Sequence, residues 1–245
     1  MKERKAGKTP IITGSLRKHM ITVPKEIEQA SGISIFGKLI KSLVFTTDVA
    51  IIRNINANAV IAVYPFTPQP AITHAILTAA EMPVFCGVGG GKTMGKRVIN
   101  LAQDAEFQGA IGVVVNAPTS NETVRKLSAV VDIPVAVTVV SEYADIEARL
   151  EAGAGILNVS GAAQTPHIVR SIRRNFPTVP IIATGGTTPE SILRTIDAGA
   201  NAITFTPPTP AELFKEVMVQ YRNECDREHT DLLAQGEPIN NESRL

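Results

Sequence analysis

The chain has no tryptophan, only two cysteines and only four histidines, and aromatic residues fill 4% of its 245 positions. Cys86 and Cys225 cannot make a disulfide framework, so a reducing, cytoplasmic setting is expected. None of His19, His74, His167 and His229 stands at metal-ligand spacing from another. A zinc centre therefore has no obvious ligands, and a Ser-His-Asp order cannot be argued from so few histidines. No apolar run approaches membrane-spanning length, and the start lacks the apolar core of a secretion signal, so no membrane association is expected. A formal net charge of +1 argues against a general polyanion binder. The first 41 residues are basic, but no aromatic residues interleave with that charge, and a nucleic-acid partner is not expected.

What the chain does have is small apolar residues in a regular order. Apolar content is 44%, carried largely by Ala, Val and Ile, as in parallel strands covered by helices. Strands are expected at 42–45, 60–64, 84–86, 111–115, 135–139, 156–159, 181–183 and 202–205. Helices are expected at 48–55, 71–80, 94–107, 122–130, 143–152, 167–175, 190–198 and 211–221. The third, fifth and seventh strands open with apolar-Pro-apolar steps at Pro83, Pro134 and Pro180. The fourth, sixth and eighth follow Gly-Ala at Gly109, Gly153 and Gly199. Pro is tolerated at a strand's first residue and Gly stops a helix, so the alternation has a physical basis. The double unit recurs about every 45–50 residues, which suits pairs of βα units.

Eight such units predict an α/β fold, a TIM (β/α)8 barrel in a single domain, rather than a doubly wound sheet. The expected layout is an N-terminal extension over 1–40 with a short helix at 24–30, the barrel over 41–222, and a polar C-terminal tail over 223–245.

A barrel of this kind carries its site at the C-terminal strand ends, which shortens the candidate list. After the seventh strand, Gly185-Gly186-Thr187 precedes a helix capped by Thr188 and opened by Pro189. Amides freed there form an expected anion seat. After the third strand, Gly89-Gly90-Gly91-Lys92 can wrap an anion, with Lys92 as a point charge. Gly91-Lys92-Thr93 matches the end of a P-loop, but Cys86 stands where that motif needs its first glycine, so an NTPase is rejected. Asp48, Glu142 and Lys92 are the acid/base candidates. Asn116, Asn158, Ser160 and Thr206 are the polar groups expected to orient a ligand. An oxygen-only Mg²⁺ site from Asp48 and Glu142 is specified by no motif, and neither metal nor cofactor is expected. Capping boxes are expected at Thr119-x-x-Glu122 and Thr209-x-x-Glu212.

Residues 82–205 resemble the phosphate-binding (β/α)8 barrels, most of all the 2-keto-3-deoxy-6-phosphogluconate aldolase group. The similar stretches are Val88-Gly89-Gly90-Gly91, Ile133-Pro134-Val135, Leu150-Glu151-Ala152-Gly153, Phe176-Pro177 and Ala183-Thr184-Gly185-Gly186. The resemblance implies that Gly185 and Gly186 contact a substrate phosphate. It also marks departures. Asn158 stands where the family has its Schiff-base lysine, Ala62 near its carboxylate and Phe66 near its arginine. Pro207-Pro208 removes two backbone donors at the end of the eighth strand. The family's mechanism therefore does not transfer. The resulting expectation is a homo-oligomeric barrel binding a small anionic, phosphorylated metabolite, an enzyme of lyase or isomerase type. The alternatives are a non-catalytic sensor, the role glycerol-phosphate-responsive antiterminators show for such barrels, or a hydrolase of a small phosphorylated metabolite.

Overall fold

The computed structural model describes residues 21–235, together with 10, 12 and 14. Eight parallel strands close on themselves in chain order: β3 (Ser42–Phe45), β4 (Ala59–Ala62), β5 (Val84–Gly89), β6 (Gly112–Val115), β7 (Val135–Val139), β8 (Ile156–Val159), β9 (Ile181–Thr184) and β10 (Ala202–Phe205). β10 pairs back onto β3 through Thr204 opposite Leu43, which completes the ring. Between the strands lie α1 (Val49–Arg53), α2 (Pro70–Ala79), α3 (Lys96–Phe107), α4 (Asn121–Ser128), α5 (Ile146–Glu151), α6 (Thr165–Asn175) and α7 (Pro189–Asp197). This is the TIM barrel that the alternation predicts.

Both faces of each strand are buried, and alternation assigns the two sides. One set, including Leu43, Ile61, Phe85, Ala136, Ile156, Ile182 and Ala202, fills the barrel interior. Gly112 is the small partner of Phe85: a Cβ there would lie 2.5 Å from the Phe85 ring. The other set, including Val44, Val113, Val137, Leu157 and Ile203, is fully buried beneath the helices.

The N-terminal segment departs from the irregular extension expected. Its short helix is present as a 3-10 turn at Lys25–Gln29, which packs against α7. Beyond it the chain forms a hairpin, β1 (Ile33–Ile35) against β2 (Lys38–Ile40). Ile33, Ile35 and Ile40 join the interior cluster and close the barrel at the N-terminal strand ends. Phe36 and Gly37 turn the hairpin with φ of 47° and 79°, and Gly37 is the residue suited to that region. The basic residues before Ile21 all lie outside the described residues.

Two compact units succeed one another, one up to Thr206 and one from Pro207. The second contains α8 (Pro210–Gln235), a helix of 26 residues. It continues well past the expected end at Tyr221 because nothing after that residue breaks it: residues 222–235 contain neither Pro nor any Gly. The expected tail over 223–245 is thus helical as far as Gln235, and 236–245 lie outside the described residues. Thr209 and Glu212 form the expected capping box: the Thr209 amide donates to Glu212 Oε2 at 2.7 Å, and the Glu212 amide to Thr209 Oγ1 at 3.3 Å. No helix among the described residues is long and apolar enough to cross a membrane.

Candidate functional site

The C-terminal strand ends carry a cavity of about 460 Å³ over β4, β5 and β6. Three loops build it. Tyr64 to Pro68 follow β4, Gly89 to Thr93 follow β5, and Asn116 follows β6. The β5–β6 register shifts between Gly87 and Gly89, a bulge that inserts Val88 and re-aims the backbone at the barrel rim.

The glycine run at the end of β5 has a mechanical reason at two of its three positions. Gly90 has φ of 99°, and a Cβ there would land on Thr119 Oγ1 and lie 2.8 Å from the Asn116 amide nitrogen. Its own amide closes the turn onto the Thr93 carbonyl at 2.9 Å. Gly89 has φ of 126°, and its carbonyl accepts from the Asn116 amide at 3.0 Å. Gly91, by contrast, has nothing within 4 Å of where its Cβ would stand. The run is fastened at Gly89 and Gly90 and open at Gly91.

Among the described residues, Lys92 is the one charged side chain lining the cavity. It is exposed, and no acidic residue among the described ones forms an ion pair with it. Tyr64 places a phenol at the same wall; its oxygen accepts from the Gln69 amide at 2.9 Å, which leaves its O–H free to donate. Arg149 fixes the far wall from behind. Its guanidinium donates to the Ala117 carbonyl at 3.0 Å, to Asn121 Oδ1 at 2.8 Å and to the Thr119 carbonyl, pinning the loop that carries Asn116. A cation unpaired among the described residues, in a cavity they line with no other charge, favours an anion, because no described group competes for it.

Lys92, Asn116, Gly89 and Gly91 therefore share one cavity, and the other candidates lie elsewhere. Asp48 caps α1, accepting from the Ala50 and Ile51 amides at 2.8 and 3.1 Å. Glu142 bonds His167 across 2.8 Å, Oε2 to Nε2, and lines a separate groove between α5 and α6. Asn158 donates from Nδ2 to Thr138 Oγ1 at 3.2 Å, and Thr184 Oγ1 donates to Ser160 Oγ at 3.3 Å. Thr206 is exposed. Thr138, Asn158, Thr184 and Thr204 thus top the interior faces of β7 to β10 with small polar groups. The Thr204 hydroxyl is buried and has no hydrogen-bond partner.

The Gly185-Gly186 turn is largely occupied by the fold itself. A Cβ at Gly185 would stand 2.6 Å from Ile203 Cγ2, and the Gly185 amide donates to the Thr204 carbonyl at 3.3 Å. Gly186, with φ of 80°, lies under Ser191, which forms the capping box of α7 with Thr188. Gly186 and Thr187 are exposed, and their amides make no hydrogen bond among the described residues.

The capping box expected at Thr119 is not formed. Ser120 caps α4 instead, accepting from the Thr123 amide at 3.2 Å, because Thr119 is turned inward against Gly90. Its hydroxyl is buried without a partner. Burial also pushes the Cys86 thiol up to about 12, with Asp104 adding to the shift, so it stays protonated and packed near neutral pH. Among the described residues, no three His, Cys, Asp or Glu side chains gather as a metal-binding group. Tyr64, Thr93 and Arg149 are the contributors the linear pattern underrates. Tyr64 was legible as a strand-end residue, but nothing local connects Arg149 to a loop some thirty positions earlier.

No protein-family model matches the chain, and no curated protein sequence does. Solved structures match it at the level of fold. A phosphonopyruvate hydrolase in complex with oxalate and Mg²⁺ superposes with a TM-score of 0.55 at 12% identity, over 90% of each chain. An aldolase, QR15, gives 0.53 at 18% identity over 71% of this chain and 91% of its own. A mandelate oxidase variant with benzaldehyde gives 0.55 at 16% identity over 72% of this chain and 68% of its own. A hydrolase, an aldolase and an oxidase on one scaffold establish the TIM barrel with distant aldolase-like and phosphonate-enzyme neighbours, and no specific reaction.

Proposed function

We propose that the chain is a barrel enzyme acting on a small anionic metabolite, bound over β4 to β6 with its charge on Lys92. The observation that carries this reading is a lysine, unpaired among the described residues, in a cavity of about 460 Å³ whose other described lining groups are uncharged. That volume suits a small metabolite. The open backbone at Gly91, the Tyr64 hydroxyl and the Asn116 side-chain carboxamide supply hydrogen bonds around the anion. The reaction class is lyase or isomerase, with Lys92 as the group for proton or amine chemistry, since Asn158 stands where the aldolases that the chain resembles carry a lysine on the sixth barrel strand. A phosphorylated substrate would set its phosphate against the Gly186 and Thr187 amides and Thr206, with Ser160 and Asn158 along the way. Distant likeness to an aldolase and to a hydrolase crystallised with oxalate supports a small anionic ligand.

One observation favours a second reading, binding without turnover. Among the described residues no carboxylate or imidazole lines the cavity, so none of them gives Lys92 a partner acid or base there. Calorimetric titration with small carboxylates and phosphate esters, followed by turnover assays on the binders, tests both. The enzyme reading requires a binder that is turned over and a Lys92→Ala variant that loses both binding and turnover. Saturable binding with no conversion of any binder supports the sensor. Binding that Lys92→Ala leaves unchanged removes this cavity from the function.

A further inference from the structure

The turn that leads from β5 into α3 leaves more donors free than a single carboxylate uses. It runs Gly91-Lys92-Thr93-Met94-Gly95-Lys96-Arg97. Among the described residues, none of the amides from Gly91 to Arg97 donates a hydrogen bond. The turn is closed instead by the amides on either side of that run, Gly90 onto the Thr93 carbonyl at 2.9 Å and Val98 onto the Gly95 carbonyl at 3.1 Å. Backbone N–H groups left over at a glycine-rich turn before a helix are donors for an anion.

The start of α3 has the charge to match. Of α1 to α7, α3 is the one with neither a side-chain cap nor a Pro in its first turn; its N-cap is Gly95. Its first two residues are Lys96 and Arg97, and its first turn holds no acid. The helix N-terminus carries partial positive charge, so cations there are repelled and an anion relieves the repulsion. With Lys92, three cations stand between positions 92 and 97, and none forms an ion pair among the described residues.

A second, independent observation comes from inside the cavity. Thr93 lines it, although the residue is only 6% exposed. Its hydroxyl makes no hydrogen bond among the described residues and, unlike those of Thr119 and Thr204, is not sealed from solvent. A buried residue whose hydroxyl opens on a cavity without a protein partner is a donor available to a ligand oxygen.

Charge decides which anion fits. A carboxylate carries one negative charge, which Lys92 alone offsets. A phosphate monoester carries about 1.5 to 2 at neutral pH and has three strong acceptor oxygens. Three cations, a free hydroxyl and a run of free amides match the second. We propose that the β5–α3 turn is a phosphate seat, in which Lys92, the Thr93 hydroxyl and the free amides hold the phosphate of a small monoester, and Lys96 and Arg97 supply the rest of the positive charge. The proposal rests on the placing of the ligand's charge on Lys92. It narrows that charge to a phosphate and leaves the Gly186 and Thr187 amides to any second phosphate the substrate carries.

Calorimetric titration of the full chain with methyl phosphate and with acetate tests it. Methyl phosphate is expected to bind at least about tenfold more tightly than acetate at pH 7.5. Its affinity is expected to fall about tenfold between pH 7.5 and pH 5, as the second ionisation near about pH 6 is reversed, while that of acetate barely changes. Joint substitution of Lys96→Ala and Arg97→Ala is expected to weaken methyl phosphate at least about tenfold and acetate hardly at all, with the melting temperature of the free protein unchanged or raised. Thr93→Val is expected to weaken methyl phosphate about fivefold, and Thr93→Ser to restore it. Methyl phosphate that binds no more tightly than acetate overturns the seat, as does an affinity that survives both the double substitution and Thr93→Val. In either case acetate binding that Lys92→Ala abolishes keeps the Lys92 cavity as the ligand site. Failure of both anions to bind, or binding indifferent to Lys92→Ala, overturns the seat and the reading it rests on together.

Discussion

Two glycine clusters sit at the mouth of the same barrel, one after β5 and one after β9, and the fold treats them differently. At Gly185-Gly186 the missing Cβ atoms make room for the protein's own side chains, Ile203, Ile192 and Ser191. After β5 the strain is concentrated at Gly89 and Gly90, while Gly91 and Lys92 are left facing a cavity. A glycine pair reports that a Cβ is not tolerated; whether helix packing or a ligand excludes it is decided by what lies opposite.

Substitutions can break this comparison at several strengths. The largest expected effect is at Gly90→Ala, where the new Cβ meets Thr119 and the Asn116 amide at a φ of 99°. We expect a loss of about 3 kcal/mol in denaturant unfolding, because backbone rather than a mobile side-chain end blocks it. Gly185→Ala is expected to cost about 2 kcal/mol through Ile203 and Ile192, with anion affinity little changed. A Gly185→Ala protein of normal stability but lost affinity would reverse the contrast and make that turn the ligand seat.

Lys92→Ala tests the other side. It is expected to lower anion affinity at least about tenfold, or ~1.4 kcal/mol, while the melting temperature holds, since Lys92 forms no hydrogen bond or ion pair among the described residues. Equal losses in affinity and stability would mean that Lys92 is structural.

Two weaker predictions sharpen the picture of the wall between the clusters. The Cys86 thiol is raised from 9.0 to about 12 in the folded state. Its contribution to stability is therefore fully present below about pH 9 and is lost as pH rises through the folded value, because only the unfolded chain ionises readily in between. Alkylation kinetics check this directly: Cys225 reacts at pH 8 and Cys86 does so only on unfolding. Thr204→Val is the smallest change, expected to be neutral or stabilising by up to about 1 kcal/mol in thermal unfolding, because it removes a buried hydroxyl that has no partner. A clear destabilisation would mean that this hydroxyl has a partner in solution, such as an ordered water.

The barrel was legible because its signals are local and repeated. Pro83, Pro134 and Pro180 mark strand starts, Gly109, Gly153 and Gly199 mark helix stops, and four of the eight strands match their expected bounds to the residue. The hairpin at Ile33–Ile40 was not legible, since three-residue strands carry too little period to stand out from a polar segment. Thr119 misled for a related reason. Its spacing to Glu122 satisfies a capping rule, but Ser120 offers the same chemistry one residue on, and only contact with Gly90 chooses between them.

The site divides in the same way. Sequence alone placed Lys92, Asn116 and the two glycine clusters at the C-terminal strand ends, because strand order and loop position follow from local periodicity. It could not determine which of them share a cavity. Tertiary structure placed Lys92 with Tyr64 and Asn116, set Glu142 against His167, spent Asp48 on a helix cap and braced the Asn116 loop with Arg149. Those outcomes depend on distances between residues far apart in the chain, set by the closure of the ring and by which neighbour fills each space.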